Sequence, residues 1–310
     1  MCYNGKGKGA PLTSLRVHKS KETEVTHLAK ILDGKQVVEA LNERIKAEVD
    51  SLKGQGISPD LAIIRIGERE DDIAYERGAI RRLESLGIDV DTYRLAADIS
   101  QEELLAIIEE INNDSEIHGC LLLRPLPKHI DDNVVRNALL PAKDIDGITD
   151  ASLAGVFTGI ATGFPPCTPQ ACMEILDHFD IEVSGKKAVV VGRSLVVGKP
   201  VAMMLLQKNA TVTICHTRTQ DMPAVCREGE ILIVAAGRAG IVGADYLSPG
   251  QVVIDVGINM GEDGKLKGDV DFAAAEAVVA AITPVPGGVG TVTTSVLAKH
   301  VVEAAKRQSM

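Results

Sequence analysis

The chain has 310 residues, 45% apolar and 25% charged, which suits a globular protein of two α/β lobes at about 100–200 residues each. Its formal net charge is -10, and it holds four Tyr, four Phe and no Trp. Neither the basic face of a duplex-binding protein nor an aromatic platform for single strands is expected, so no nucleic-acid partner is expected.

Residues 1–26 read as a tail, Gly/Lys-rich at Gly5 to Gly9, with no acid before Glu22. No apolar run reaches about 18 residues and no secretory core opens the chain, so no membrane partner is expected and the setting is cytoplasmic. From residue 35 to 53, Val37, Val38, Leu41, Ile45 and Val49 recur at helical spacing. Leu61 to Ile66 reads as a buried strand, 70–86 as a helix ended by Gly87, 90–95 as a strand, 100–112 as a helix and 117–123 as a third strand. Strands alternating with helices predict a parallel sheet. Pro125, Pro127 and Pro141 break the next stretch into loops. A second alternation follows: helix 169–179, strand 187–191, helix 199–207, and strands 210–215, 230–234, 252–256 and 279–282. The last helix, 291–307, has no strand after it and is expected to pack back on the first lobe. The six cysteines form no C-x-x-C pair, which leaves zinc and thioredoxin-like chemistry without support; buried reduced thiols are expected.

The sharpest feature is Val191-Gly192-Arg193-Ser194-Leu195-Val196-Val197-Gly198, where a strand runs into a glycine turn and then a helix. Its spacing is G-x5-G rather than G-x-G-x-x-G, so taken alone it is nearly as compatible with an ordinary strand-helix turn as with a phosphate site. At the end of the next strand stand His216, Thr217 and Arg218, where NAD-binding folds carry an acid for the ribose hydroxyl. With Arg193, these groups suit a 2′-phosphate, which favours NADP and leaves NAD as the second candidate. Ala236 and Gly237 end a further strand, and small residues there let a dinucleotide lie close. Pro284, Pro286, Gly287, Gly288 and Gly290 make a rigid loop that leads into the last helix.

Three motifs in this order, the Gly192–Pro200 turn, Lys143-Asp144-Ile145-Asp146-Gly147, and Pro284 to Gly290, resemble the methylenetetrahydrofolate dehydrogenase/methenyltetrahydrofolate cyclohydrolase family from about Ala29 to Arg307. The resemblance implies two α/β lobes around a cleft: a folate-binding catalytic lobe (27–148 plus 290–310) and a Rossmann-like NADP lobe (149–289), in a homodimer. It implies oxidation of 5,10-methylenetetrahydrofolate by NADP, with some hydrolysis of the methenyl product to 10-formyltetrahydrofolate. Asp146 would hold the pterin's amino edge and Tyr75 would pack on the folate rings. Pro286, Gly287 and Gly288 would touch the substrate. Gly192, Arg193, Ser194, Val197, Gly198, His216, Thr217, Arg218, Ala236, Gly237 and Thr293 would hold the cofactor.

The sequence departs from the family at two places. Four residues after the tyrosine, the family has a lysine that drives the cyclohydrolase step; here Ala79 stands there. The glutamine that partners it is replaced by Leu123 in Leu123-Arg124-Pro125-Leu126-Pro127. Losing both leaves no buried polar group without its partner. Either the second activity is weak or lost, or a nearby cation restores it. Arg124 is the catalytic candidate, and Arg77, Arg81 and Arg82 are most simply a solvated helix face. A folate- and NADP-binding protein without catalysis is the reading from another class.

Overall fold

Leu61 to Ile66 are all buried, as a strand covered on both faces of a parallel sheet must be. The architecture grows around that strand and its counterpart in the second lobe. The structure, a computed structural model, describes Met1 and residues 28–309; the expected tail, Met1 apart, lies outside them, as does Cys2. Strand β1 (Lys30–Ile31) and helix α1 (Gly34–Lys53) come first, then β2 (Asp60–Ile66), α2 (Glu70–Ser85), β3 (Asp89–Leu95), α3 (Gln101–Asn113) and β4 (Gly119–Leu122). Helices α4 (Asp132–Ala138), α5 (Asp150–Thr158) and α6 (Cys167–His178) lead to β5 (Lys187–Val191), α7 (Gly198–Gln207), β6 (Thr211–Cys215), α8 (Met222–Arg227), β7 (Ile231–Val234) and β8 (Val252–Asp255). The hairpin β9 (Asn259–Met260)–β10 (Leu266–Lys267), α9 (Phe272–Glu276), β11 (Ala281–Ile282) and α10 (Val289–Gln308) complete the chain.

Local chemistry sets the helix starts. Asp33 caps α1 by accepting from the Lys35 amide at 2.9 Å. Ser100 and Glu103 form a reciprocal capping box on α3. Thr149 caps α5 by accepting from the Ser152 amide at 3.0 Å.

The first sheet is parallel, in the order β3-β2-β4. Ala62, Ile64 and Ile66 pack with Leu104, Ile108 and Ile111 of α3 on one face. Leu61 and Ile63 join residues of α1, α2 and α10 on the other. The second sheet runs β1-β11-β8-β7-β5-β6, also parallel. Its β5/β7 junction is where the strand order reverses, the place where open α/β sheets take their ligands.

Helix α10 packs on α1 and α6 and touches α2. It joins the inner faces of both sheets into one apolar cluster, which runs from Leu61 through Val301 to Ile231. Residues 29–32 also differ from the expected first-lobe range. The Ala29, Lys30 and Leu32 amides donate to carbonyls of Glu276, Ala280 and Ile282, so β1 is the edge strand of the second sheet. A two-residue strand has no period to read, and the same holds for the short helices α4, α8 and α9. Cys120, Cys167, Cys172, Cys215 and Cys226 are buried and unpaired. No helix of the described residues is long and apolar enough to cross a membrane.

Candidate active site

The loop after β4 builds one wall of the site. Lys143 is buried and donates to the carbonyls of Ile111, at 2.6 Å, and of Asp114, so its charge closes the C-terminal end of α3. Asp144 is fully buried and accepts from the Ile148 and Thr149 amides at 2.9 and 2.8 Å and from the Ser152 hydroxyl at 2.6 Å. Gly147 has φ +65°, and a Cβ there would collide with the chain at Phe164 to Pro166. The ring Nδ1–H of His300 donates to the Ile145 carbonyl at 2.8 Å; burial holds that imidazole down at about 4, so it is neutral. Every other member of Lys143–Gly147 is thus spent on structure, and Asp146 is left to line the cleft.

That cleft has a volume of about 1270 Å³ and runs between the lobes. The first lobe contributes Tyr75, Leu123, Arg124 and Asp146, and the second Leu195, Val196, Val197 and Ile258. Burial pushes the Asp146 carboxyl up to about 6, reinforced by Asp144 and opposed by Cys167 and Arg124. Burial, with Asp146 and Cys167 beside it, raises the Tyr75 hydroxyl too, so it stays protonated.

Arg124 is not free to act on water. Its Nε donates to Asp132 Oδ1 at 2.6 Å and its Nη2 to Asp132 Oδ2. The pair continues along the rim, with Arg136 Nη2 at 2.7 Å from Asp150 Oδ1. Ala79 is 1% exposed and lies in the apolar core; Leu123, in the same cluster, reaches the cleft. Arg77, Arg81 and Arg82 do not line the cleft. One residue after Tyr75, Glu76 is buried between Arg65, at 2.5 Å from its Nε, and Arg94, at 2.7 Å. Burial alone would raise Glu76, but the two guanidinium groups hold it below the usual range.

In the second lobe, Val191 pairs with Val234 in register, which sets Gly192 beside Ala235 at the switch point. Gly192 has φ +130°, and a Cβ there would overlap the Ala235 carbonyl oxygen. The glycine is therefore what lets the two loops approach closely at this crossing. The Ser194 hydroxyl accepts from the Val197 and Gly198 amides at 3.1 and 3.4 Å, so it closes the turn that leads into α7. His216 Nδ1 accepts from the Arg218 amide at 3.1 Å, and the Thr219 hydroxyl accepts from the His216 amide at 2.9 Å. Arg193, Thr217 and Arg218 are exposed, and neither arginine forms an ion pair among the described residues. No acid stands between Cys215 and Gln220, so the donor set fits a dinucleotide with a 2′-phosphate.

The expected residues separate into groups. Tyr75, Arg124, Asp146, Val197 and Thr293 line the cleft. Gly192, Arg193, Ser194, Gly198, His216, Thr217, Arg218, Ala236 and Gly237 lie outside its lining, along the C-terminal edge of the second sheet. Pro286, Gly287 and Gly288 do not line it either. The Gly287 carbonyl accepts from the Gly34 amide at 2.8 Å, so that stretch pins the start of α1, and the next two residues, Val289 and Gly290, reach the cleft. Sequence reasoning missed Leu195, Ile258 and Thr219, which carry no signal of type or spacing. It also missed Asp255 and Asp269, whose partners lie far along the chain.

Residues 32–146 match the family model for the tetrahydrofolate dehydrogenase/cyclohydrolase catalytic domain, and residues 166–309 that for its NAD(P)-binding domain. The bifunctional protein FolD of Carboxydothermus hydrogenoformans is 52% identical over 279 residues, which covers 89% of this chain and 97% of that one. The bifunctional methylenetetrahydrofolate dehydrogenase/cyclohydrolase FolD of Campylobacter jejuni superposes with a TM-score of 0.88 at 38% identity, covering 90% of this chain and 99% of that one. The Trypanosoma brucei enzyme, solved with NADP and an inhibitor, gives a TM-score of 0.84 at 33% identity, covering 91% and 99%.

Proposed function

The chain belongs to the tetrahydrofolate dehydrogenase/cyclohydrolase family, and from that premise we propose that it oxidises 5,10-methylenetetrahydrofolate with NADP and hydrolyses the methenyl product, the second step slowly. The observation that supports this most directly is the cleft itself: Asp146 and Tyr75 on one wall face the residues of the glycine turn on the other. An assay of NADP-dependent oxidation of methylenetetrahydrofolate tests it, and purified protein without that activity sinks it.

The chemistry divides between the walls. The Asp146 carboxylate accepts paired hydrogen bonds from the guanidine-like edge of the pterin and fixes its orientation. Tyr75, neutral and half-exposed, covers the folate rings. Leu195, Val196 and Ile258 present apolar surface to the same space and keep water from the reacting carbon. NADP, when bound, supplies the hydride acceptor. The folate nitrogen lone pair drives hydride loss, so the protein's task in this step is alignment rather than proton transfer. Hydrolysis does need proton handling, and at Ala79 and Leu123 the chain offers none.

Two outcomes follow. Asp146 must be ionised to accept both hydrogen bonds, and its carboxyl stands at about 6. As pH falls through that value the carboxylate gains a proton and loses half its accepting capacity. The KM for the folate should therefore rise below about pH 6 while that for NADP stays level; steady-state kinetics from pH 5 to 8 will show it, and a flat folate KM would count against the role. Arg193 and Arg218 together should set the cofactor choice. Removing one charge-assisted contact costs about 1.5–3 kcal/mol, so Arg218→Ala should lower the preference for NADP over NAD by about tenfold or more. An unchanged ratio in both Arg218→Ala and Arg193→Ala would rule the arginines out. A homodimer is part of the same proposal, and mass measurement in solution tests it.

A further inference from the structure

Two buried carboxylates stand behind the cofactor edge of the second sheet. Asp255, at the end of β8, accepts from the amides of Gly257 at 2.9 Å, Asp269 at 3.0 Å and Val270 at 2.9 Å. Asp269, fully buried, accepts from the amides of Ala236 at 2.6 Å, Gly237 at 2.8 Å and Arg238 at 2.9 Å, and from Asn259 Nδ2 at 2.9 Å. Three successive backbone N–H groups converging on one anion form a nest of the kind that elsewhere binds phosphate. Here the nest is filled from within.

The glycines around these acids fit that arrangement. A Cβ at Gly257 would overlap Asp269 Oδ1, and one at Gly268 would overlap Asp255 Oδ2. Asp255 also ties in the last loop, because its amide donates to the Thr283 hydroxyl at 2.8 Å. Two segments that border the site, Ala236–Arg238 and Gly257–Asn259, are thus held to these two side chains, and Thr283, at the start of the last loop, is held by the Asp255 backbone amide. The first of these segments stands next to Gly192, since Ala235 touches that glycine.

The geometry points to Asp269 as a positioning residue for the dinucleotide: it fixes the backbone of Ala236–Arg238 as the second wall of the switch-point crevice. This rests on the reading of the second lobe as NADP-binding. The carboxylate does not touch the ligand; it holds three amides inward and so fixes the path of the loop beside the crevice. An asparagine cannot replace it. Its amide has one accepting oxygen and a donating nitrogen, and the donor would face N–H groups.

The test uses Asp269→Asn in the full chain, with two readouts. Backbone amide exchange at 236–238 reports the loop without any ligand and should accelerate by about tenfold or more, as for loss of a hydrogen bond to a charged group. NADPH titration should show affinity weakened by about the same factor, with the folate KM within about twofold, because the groups that grip the pterin, Asp146 and Tyr75, stand on the other lobe. Unchanged exchange overturns the proposal, and so does equal weakening for both ligands. If wild-type protein binds no NADPH while exchange responds as expected, the dinucleotide reading fails and the positioning role falls with it. Should Asp269→Asn not fold, Asn259→Ala removes one donor to the same carboxylate. It should weaken NADPH binding by about two- to fivefold, and no change there overturns the proposal.

Discussion

An Asp146→Ala variant is expected to lose about 10²–10⁴-fold in kcat/KM for the folate, the value of two charge-assisted hydrogen bonds at about 1.5–3 kcal/mol each. The Asp146 carboxylate is the member of Lys143–Gly147 that lines the cleft, with Cys167 as its internal neighbour. Lys143 closes α3, Asp144 binds two amides and a hydroxyl, and Ile145 offers its carbonyl to His300. Removing Asp146 should leave the loop in place and take away the pterin contact along with the Cys167 contact. Thermal stability will not fall. A carboxyl raised to about 6 is penalised in the fold when ionised, and at pH 7 its removal relieves that penalty. The diagnostic combination is a lost folate kcat/KM with NADPH affinity and Tm preserved. Asp146→Asn should resemble Asp146→Ala, since an amide sets a donor against a donor. Activity within about threefold of wild type would show that the pterin is held elsewhere, a threshold set by the smallest hydrogen-bond loss of about 0.5–1.5 kcal/mol.

The long elements were legible because their patterns are strong. Val37, Val38, Leu41, Ile45 and Val49 trace one face of α1, and the apolar run at Leu61 has no amphipathic helix to be mistaken for. The glycine turn was legible as backbone geometry, and the structure gives its reason in the contact between Gly192 and Ala235. What stayed hidden depended on tertiary partners. The Ser194 hydroxyl closes the turn before α7 through the Val197 and Gly198 amides, a contact no spacing announces. Gly287 sits in a motif that suggests a substrate wall, but its carbonyl is committed to Gly34. Asp269 lies 33 residues beyond Ala236, and no local pattern announces that its carboxylate completes that loop. The departures at Ala79 and Leu123 were visible in the sequence; their burial in one apolar cluster was not.

That shared burial yields the last expected result. Restoring both polar groups, Ala79→Lys with Leu123→Gln, should raise methenyltetrahydrofolate hydrolysis above wild type by about 10²-fold or more, the usual contribution of a positioned acid-base group. Ala79→Lys alone would place a cation in the apolar core without the partner that Leu123→Gln would supply, and a lone buried charge is strongly destabilising. Leu123→Gln supplies an acceptor on the same face of the sheet and opens onto the cleft, so the pair is easier to accommodate than the lysine by itself. Arg124 is poorly suited to that part. Arg124 is bound through two nitrogens to Asp132, and a guanidinium is a poor proton shuttle. The measurement is the decay of methenyltetrahydrofolate absorbance against buffer, with the dehydrogenase rate followed in parallel. The hydride step asks only for alignment, so it should remain within several-fold in the double variant, about 1 kcal/mol in the barrier. A folded double variant that oxidises methylenetetrahydrofolate normally and hydrolyses no faster than wild type would show that something other than the missing pair limits the second reaction.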